Sequence, residues 1–481
     1  METKGVQKIY LVGIGGIAMG TLATMLKESG FEVAGSDQNL YPPMSTHLQN
    51  LGIPLFEGFS AENPGRFAPD LFVMGNVIRR ENPEAQFVMA QGKPCLSMPQ
   101  AISRFFLDGR KSIVAAGTHG KSTTSSLLAW VLEQGGKDPR AFIGAFLKDW
   151  GASYRLGTGE YMVVEGDEYD TAFFDKGPKF LHYQPHIGIV GSIEFDHADI
   201  FKDLEAVLKA FRDFVRLIPK DGFLILNADD PNCVPLASEC KGTVITFGES
   251  HRADWRISKV QFHPGEVSFQ LRNPVTLKEE TFRSKLPGRH NAWNLAAVIA
   301  AATLAGMSLK SIQEAVLTFG GVKRRQDVVG EFGGVLIMDD FAHHPTAVRE
   351  TLLALKLFHP TRRLIAAFEP RSNSSRRNVF QQLYAGAFSA ADLVCIKQPP
   401  AMDSIPGEER LDAARLVEDI KNHGKDARFF PGTDELLDFL VDFSRSGDLI
   451  VCMSNGSFDG LPRKLAAQLQ KSVGVGPRTP T

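Results

Sequence analysis

The sequence predicts an α/β protein built of three units. Apolar, strand-like runs alternate with helix-like stretches along most of the chain, the pattern of parallel sheets covered by helices on both faces. The chain restarts three times with a strand and a glycine- or acid-rich turn, at Lys8, Lys111 and Gly333. Its 481 residues also exceed what one hydrophobic core usually organises.

The first unit, residues 1–110, opens with Lys8-Ile-Tyr-Leu-Val and turns through Gly13, Gly15 and Gly16 into a helix carrying Leu22, Met25 and Leu26. A second strand, from Phe31, ends at Asp37, and further strands are expected at 71–74 and near 94–96. Alone, this resembles the start of a dinucleotide-binding fold with Asp37 at a ribose, although Gly-x-Gly-Gly-x-x-x-Gly departs from that fingerprint.

The second unit, residues 111–326, begins with a β-branched strand at Ile113-Val114. It enters Gly117-Thr118-His119-Gly120-Lys121-Ser122 and then a helix through Leu127, Leu128, Val131 and Leu132. Strand, glycine turn and helix in this order make a P-loop. Backbone N–H groups and the helix N-terminus face an anion. Lys121 reaches the β- and γ-phosphates, and the Ser122 hydroxyl holds Mg²⁺. Ala115-Ala116 stand where the general pattern has its leading glycine, so this is a short form of the loop.

Strands at 161–165, 186–191 and 222–227 alternate with a helix at 204–217, and residues 254–286 read as an antiparallel edge. Two acidic strings follow strands: Glu165-Gly-Asp167-Glu168-Tyr-Asp170, and Glu194-Phe-Asp196-His197-Ala-Asp199. Acids at the carboxyl ends of strands beside a phosphate loop suit Mg²⁺. Without that neighbourhood they would read as solvated turns. Asn291 is placed to cap an Ala-rich helix at 292–304, and Asn294, one turn on, offers an amide to a base edge.

The third unit, residues 327–473, restarts at Gly333 and runs to Asp339-Asp340-Phe-Ala-His343-His344-Pro345. That string fits ribose binding, metal binding or proton transfer. Strands at 363–368, 393–396 and 449–453 alternate with helices near 345–357, 376–388, 410–422 and 460–470. Glu369-Pro-Arg371-Ser372-Asn373 and Met453-Ser-Asn-Gly456 each follow a strand and suit a substrate carboxylate. Lys323-Arg324-Arg325 precedes the unit and offers a phosphate-binding fork. The tail, 474–481, is rich in Gly and Pro and is expected to be disordered.

A net charge of −2 gives no support for a nucleic-acid binder. No apolar run reaches the length of a membrane span. Five scattered cysteines without metal spacing read as reduced thiols, and the N-terminus is no signal peptide, so a cytoplasmic location is expected. An NAD-dependent oxidoreductase would leave Gly117–Ser122 unexplained. A non-catalytic nucleotide-binding regulator would bind ATP and form no product.

In this order, the strings Gly-Thr-His-Gly-Lys-Ser, Glu-Gly-Asp-Glu-Tyr-Asp, Glu-Phe-Asp-His-Ala-Asp, Gly-x-His-Asn-x-x-Asn and Asp-Asp-Phe-Ala-His-His-Pro resemble the Mur ligase family across nearly all the chain. The resemblance implies a UDP-sugar-binding Rossmann-like domain, a central P-loop ATPase and a Rossmann-like C-terminal domain for the incoming amine. The cofactors implied are ATP and Mg²⁺. Gly35-Ser-Asp37, Glu369-Pro-Arg-Ser-Asn373 and Met453-Ser-Asn-Gly456 point to the branch joining UDP-N-acetylmuramate to L-alanyl-γ-D-glutamyl-meso-diaminopimelate, with the branch that adds L-alanine as the alternative.

By this resemblance Lys121 binds ATP phosphates, Ser122 holds one Mg²⁺, and Glu165 with His197 holds a second. Asn291 and Asn294 contact adenine, Arg325 reaches the phosphates and Asp340 holds the nucleotide ribose. The doublets Arg324/Arg325 and Asp339/Asp340 leave the choice within each pair open. Gly13, Gly15 and Gly16 pass the UDP diphosphate, and Asp37 lies near uridine. His344, Arg371, Ser372 and Asn373 are assigned to the amine substrate.

Overall fold

The computed structural model describes residues 5–403 and 405–473, and the tail expected to be disordered lies outside them. Three large sheets follow one another along the chain, and a two-stranded one, Asp170–Ala172 with Asp175–Pro178, stands apart from them. The first is five-stranded and parallel, in the order Leu55–Glu57, Glu32–Asp37, Lys8–Val12, Leu71–Met74, Cys95–Ser97. Strand order reverses at Lys8–Val12, so a crevice opens at its carboxyl end, beside Gly13–Gly16.

The second sheet has ten strands. Its centre is Lys111–Ala116, flanked in parallel by Tyr161–Gly166 and Pro185–Val190. The predicted antiparallel edge is present as Trp255–His263, Glu266–Arg272 and Glu279–Ser284. The other edge is a hairpin of Arg140–Leu147 with Ala152–Leu156, absent from the sequence reading.

Helix Arg289–Leu304 packs against helix Lys121–Gln134 in one apolar core. Its run Leu295–Ala302 is buried throughout, which explains alanines in place of an amphipathic stripe. The cap position belongs to Gly288 (φ 103°) and not to Asn291. Asn291 sits inside the first turn and donates its amide to the Pro287 carbonyl at 2.7 Å.

The third sheet orders Asp327–Phe332, Val335–Asp340, Asp448–Met453, Arg363–Phe368, Leu393–Lys397 and Asp426–Phe430. All neighbours are parallel except the first pair. The helix expected at 376–388 is shorter, Gln381–Ala387 after a single 3₁₀ turn. Arg376 and Arg377 are drawn instead to the Ala401 carbonyl and to Glu409.

Candidate active site

Because Lys111–Ala116 lies between Tyr161–Gly166 and Pro185–Val190, three loops emerge together at one sheet edge: 117–120, 167–169 and 191–199. Two glycines allow the phosphate loop to close onto its neighbours. A Cβ on Gly117 (φ 129°) would lie 3.0 Å from the Ser192 carbonyl, and one on Gly120 (φ 79°) would lie 2.5 Å from Asn294 Oδ1. The Thr118 and His119 N–H groups are tied to Ser192.

Lys121 and Ser122 begin helix Lys121–Gln134. The Lys121 ammonium donates to Glu168 and to the Gly117 carbonyl, each at 2.9 Å. Ser122 Oγ donates to Glu165 Oε1 at 2.8 Å, and Glu165 Oε2 accepts the Gly144 N–H at 2.8 Å. Arg325 comes from the end of the second unit, its guanidinium 3.2 Å from Ser122 Oγ and over the Phe341 ring of the third.

His197 Nε2 faces the second oxygen of Glu168 at 3.5 Å. Glu168 is therefore the group that Lys121 and His197 share, a role the sequence reading did not assign. Its signal was its place in the string after strand Tyr161–Gly166.

Burial raises the Glu165 carboxyl above its usual range, and Asp167 pushes the same way. Burial pulls Lys121 down, but Glu168 and Asp167 outweigh it and hold the ammonium above its ordinary value. Burial opposes ionisation of Glu168 as well, and Lys121 with His197 reverses that sign. A carboxylate held against its preference, in contact with a hydroxyl at a phosphate loop, is an oxygen-donor set that fits Mg²⁺.

Geometry separates the two doublets. Arg324 pairs with Asp339 at 3.4 Å and donates to the Ser454 and Gly456 carbonyls, whereas Arg325 faces Ser122. Asp340 is buried and accepts the Gln326 and Ala342 N–H groups at 2.7 and 2.8 Å. Asn294 donates to Asn291 at 3.1 Å, so this amide pair stands beside Gly120.

In the first unit, Asp37 accepts the Gly15 N–H at 2.8 Å, and a cavity of 560 Å³ is lined by Asp37, Phe59, Ile78, Arg79 and Asn82. Gly16 occupies the cap position of helix Ile17–Glu28. Gly13 donates to the Ser36 carbonyl at 2.8 Å.

In the third unit Arg371 keeps only long ion pairs, 3.5 Å to Glu369 and 3.7 Å to Asp459. Ser372 closes its own turn through Ser375. Asn373 donates to Asp199 of the central unit at 2.7 Å.

His344 differs from its assignment. It is buried, its Nδ1 caps helix Pro345–Phe358, and its Nε2 lies 3.3 Å from the Phe195 carbonyl. Nε2 is thus held by a backbone carbonyl, while Nδ1 accepts one long N–H contact of 3.3 Å and faces Glu194 at 3.4 Å.

Among the described residues no helix is long and apolar enough to cross a membrane. Three family models match: Mur ligase family, catalytic domain, over residues 8–110; Mur ligase middle domain over 115–302; and Mur ligase, glutamate ligase domain, over 324–456. The UDP-N-acetylmuramate–L-alanyl-γ-D-glutamyl-meso-2,6-diaminoheptandioate ligase of Escherichia coli (strain K12) is 38% identical, with 97% of this chain and 99% of that one covered. A UDP-N-acetylmuramate–L-alanine ligase of Sorangium cellulosum is 34% identical, with 97% of each chain covered. The crystal structure of a murein peptide ligase from Psychrobacter arcticus superposes with a TM-score of 0.71 at 32% identity, covering 96% of this chain and 99% of the other. On matches that span the described sheets from first to last, the chain belongs to the Mur ligase family.

Proposed function

We propose that this chain is an ATP- and Mg²⁺-dependent ligase, cytoplasmic, that joins UDP-N-acetylmuramate to L-alanyl-γ-D-glutamyl-meso-diaminopimelate in peptidoglycan recycling. The observation that carries the reading is the meeting of Lys121, Ser122, Glu165 and Arg325 at one sheet edge. The similarity to a ligase of that name over nearly the whole chain supports the choice of amine. The three units, with boundaries near residues 110 and 326, take UDP-sugar, ATP and peptide in turn.

A carboxylate does not condense with an amine unaided, because oxide is a poor leaving group. The lactyl carboxylate of UDP-N-acetylmuramate attacks the γ-phosphorus of ATP, giving an acyl phosphate and ADP. The peptide α-amine then adds to the acyl carbon, and the tetrahedral adduct expels phosphate. The protein aligns the partners and offsets crowded negative charge.

Lys121, released from Glu168, and Arg325 bond to the phosphoryl oxygens, and the N-terminus of helix Lys121–Gln134 turns its positive end to the same anion. Ser122 would hold one Mg²⁺, and Glu165 with His197 would hold a second; bound there, Mg²⁺ would neutralise charge on the phosphates. Asn291 and Asn294 meet adenine, and Asp340 meets the ribose. Gly13, Gly15 and Gly16 face the UDP diphosphate, with Asp37 near uridine. Arg371, beside Ser372 and Asn373, binds the distal diaminopimelate carboxylate.

The test supplies ATP, Mg²⁺ and UDP-N-acetylmuramate with either L-alanine or the tripeptide, and reads products by mass spectrometry. Tripeptide product with little alanine product is expected. The reverse would assign the chain to the L-alanine-adding reaction, and no product from either would reject the ligase reading.

A further inference from the structure

One cluster beside the phosphate loop has no task in the reaction described above. His119 comes from the loop itself, Glu194 from the turn after Pro185–Val190, and His344 from the start of helix Pro345–Phe358. His119 Nε2 lies 2.7 Å from Glu194 Oε2, and His344 Nδ1 lies 3.4 Å from the same oxygen. One nitrogen or oxygen from each residue lies within 4.8 Å of the others. Tetrahedral ions with bonds near 2 Å space their ligand atoms by about 3.3 Å.

The protons are placed by the neighbours. A carbonyl oxygen only accepts, so His344 Nε2, 3.3 Å from the Phe195 carbonyl, carries the ring hydrogen. The lone pair then sits on Nδ1, which faces the carboxylate and receives one long N–H contact of 3.3 Å, from Thr346. A cation between that lone pair and the carboxylate oxygen, 3.4 Å apart, would relieve their opposition.

The surrounding bonds have the form of an outer ligand shell. The non-ligating nitrogen of His344 is fixed by a backbone carbonyl, and the spare Glu194 oxygen accepts the Thr346 hydroxyl at 3.1 Å. We propose that His119, Glu194 and His344 bind a transition-metal ion of the Zn²⁺ class, at a site distinct from the oxygen-donor set of Ser122 and Glu165. Two imidazoles and one carboxylate select for Zn²⁺ or Co²⁺ over Mg²⁺. The fourth position is left to water. Two ligands belong to the central unit and one to the C-terminal unit, so the ion ties the phosphate loop to the amine-binding domain.

The probe is Co²⁺, followed by its visible absorption, titrated into the full chain in excess Mg²⁺. One saturable Co²⁺ per chain, displaced by Zn²⁺, is expected. His344→Ala and Glu194→Gln should each weaken binding more than tenfold, and Thr346→Val by about tenfold. His197→Ala should leave the Co²⁺ spectrum unchanged. Glu194→Gln preserves side-chain shape and answers the question even if His344→Ala misfolds. Absence of a Co²⁺ spectrum, equal binding by wild type and Glu194→Gln, or loss of the spectrum in His197→Ala would each overturn the proposal.

Discussion

At Lys121 the ammonium must give up two partners before it meets a phosphate. Lys121→Ala is expected to lower phosphate release by about three orders of magnitude, the scale of losing a charge-stabilising donor at a transition state. The same change strands Glu168, which is 2% exposed, without its main counter-ion. A lowered melting temperature is therefore expected, and Glu168→Gln in the double variant should restore it. Substantial turnover by a folded Lys121→Ala protein would sink the nucleotide assignment. A second residue-scale expectation concerns Gly456, where a Cβ would lie 2.1 Å from Arg371 Cδ. Gly456→Ala displaces that guanidinium, so it should raise the KM for tripeptide well above any change in the KM for ATP, as Arg371→Ala should. Equal rises in both constants would remove Arg371 from the peptide site.

At the scale of elements, the start of helix Arg289–Leu304 sets a pH dependence. Burial, with His119 as a minor contributor, holds the His290 pKa down to about 4, and its Nδ1 is buried without a partner. The folded chain keeps this imidazole neutral, while the unfolded chain binds a proton near pH 6.5. The unfolded state thus holds more protons between those values, and stability falls as pH drops from about 6.5 towards 4. Thermal unfolding from pH 7 to 5 should show that decline, and His290→Asn should flatten it. A slope unchanged in His290→Asn would assign the effect to other groups. The elements legible in the sequence were those whose burial is uniform or alternates regularly, as in Glu266–Arg272. Leu71–Met74 and Arg363–Phe368 are apolar runs, and the loop at 117–122 is marked by glycines that close contacts require. Asp426–Phe430 was not legible, because an edge strand buries only Ala427 and Phe430 and keeps charge between them. The Arg140–Leu147 hairpin mixes buried and exposed positions without alternation.

Over the whole molecule, the loops of the candidate site were readable and their closure was not. Arg325 and Ser122 are 203 positions apart, and Asn373 and Asp199 are 174 apart, distances at which no local pattern carries information. The Asn373–Asp199 bond, with the Ala198 N–H bonded to Ser374 Oγ at 3.1 Å and Glu194 bonded to Thr346, holds the C-terminal unit against the central one. Removing them should loosen that arrangement. Asp199→Ala combined with Ser374→Ala is expected to enlarge the radius of gyration in X-ray scattering of the nucleotide-free chain. ATP analogue and UDP-N-acetylmuramate together should reduce it again. An unchanged profile in the double variant would mean that these bonds do not maintain closure.

The Lys121–Glu168 pair has a consequence for the timing of turnover. An empty phosphate site with a bare ammonium would hold ADP and phosphate tightly after each cycle. On the proposed assignment of Lys121 to the phosphates, Glu168 is an anion ready to reclaim the lysine when products leave, and entry and departure of nucleotide become an exchange of one anion for another. Glu168→Gln should therefore tighten ADP binding and slow its dissociation, leaving a protein that retains its spent nucleotide.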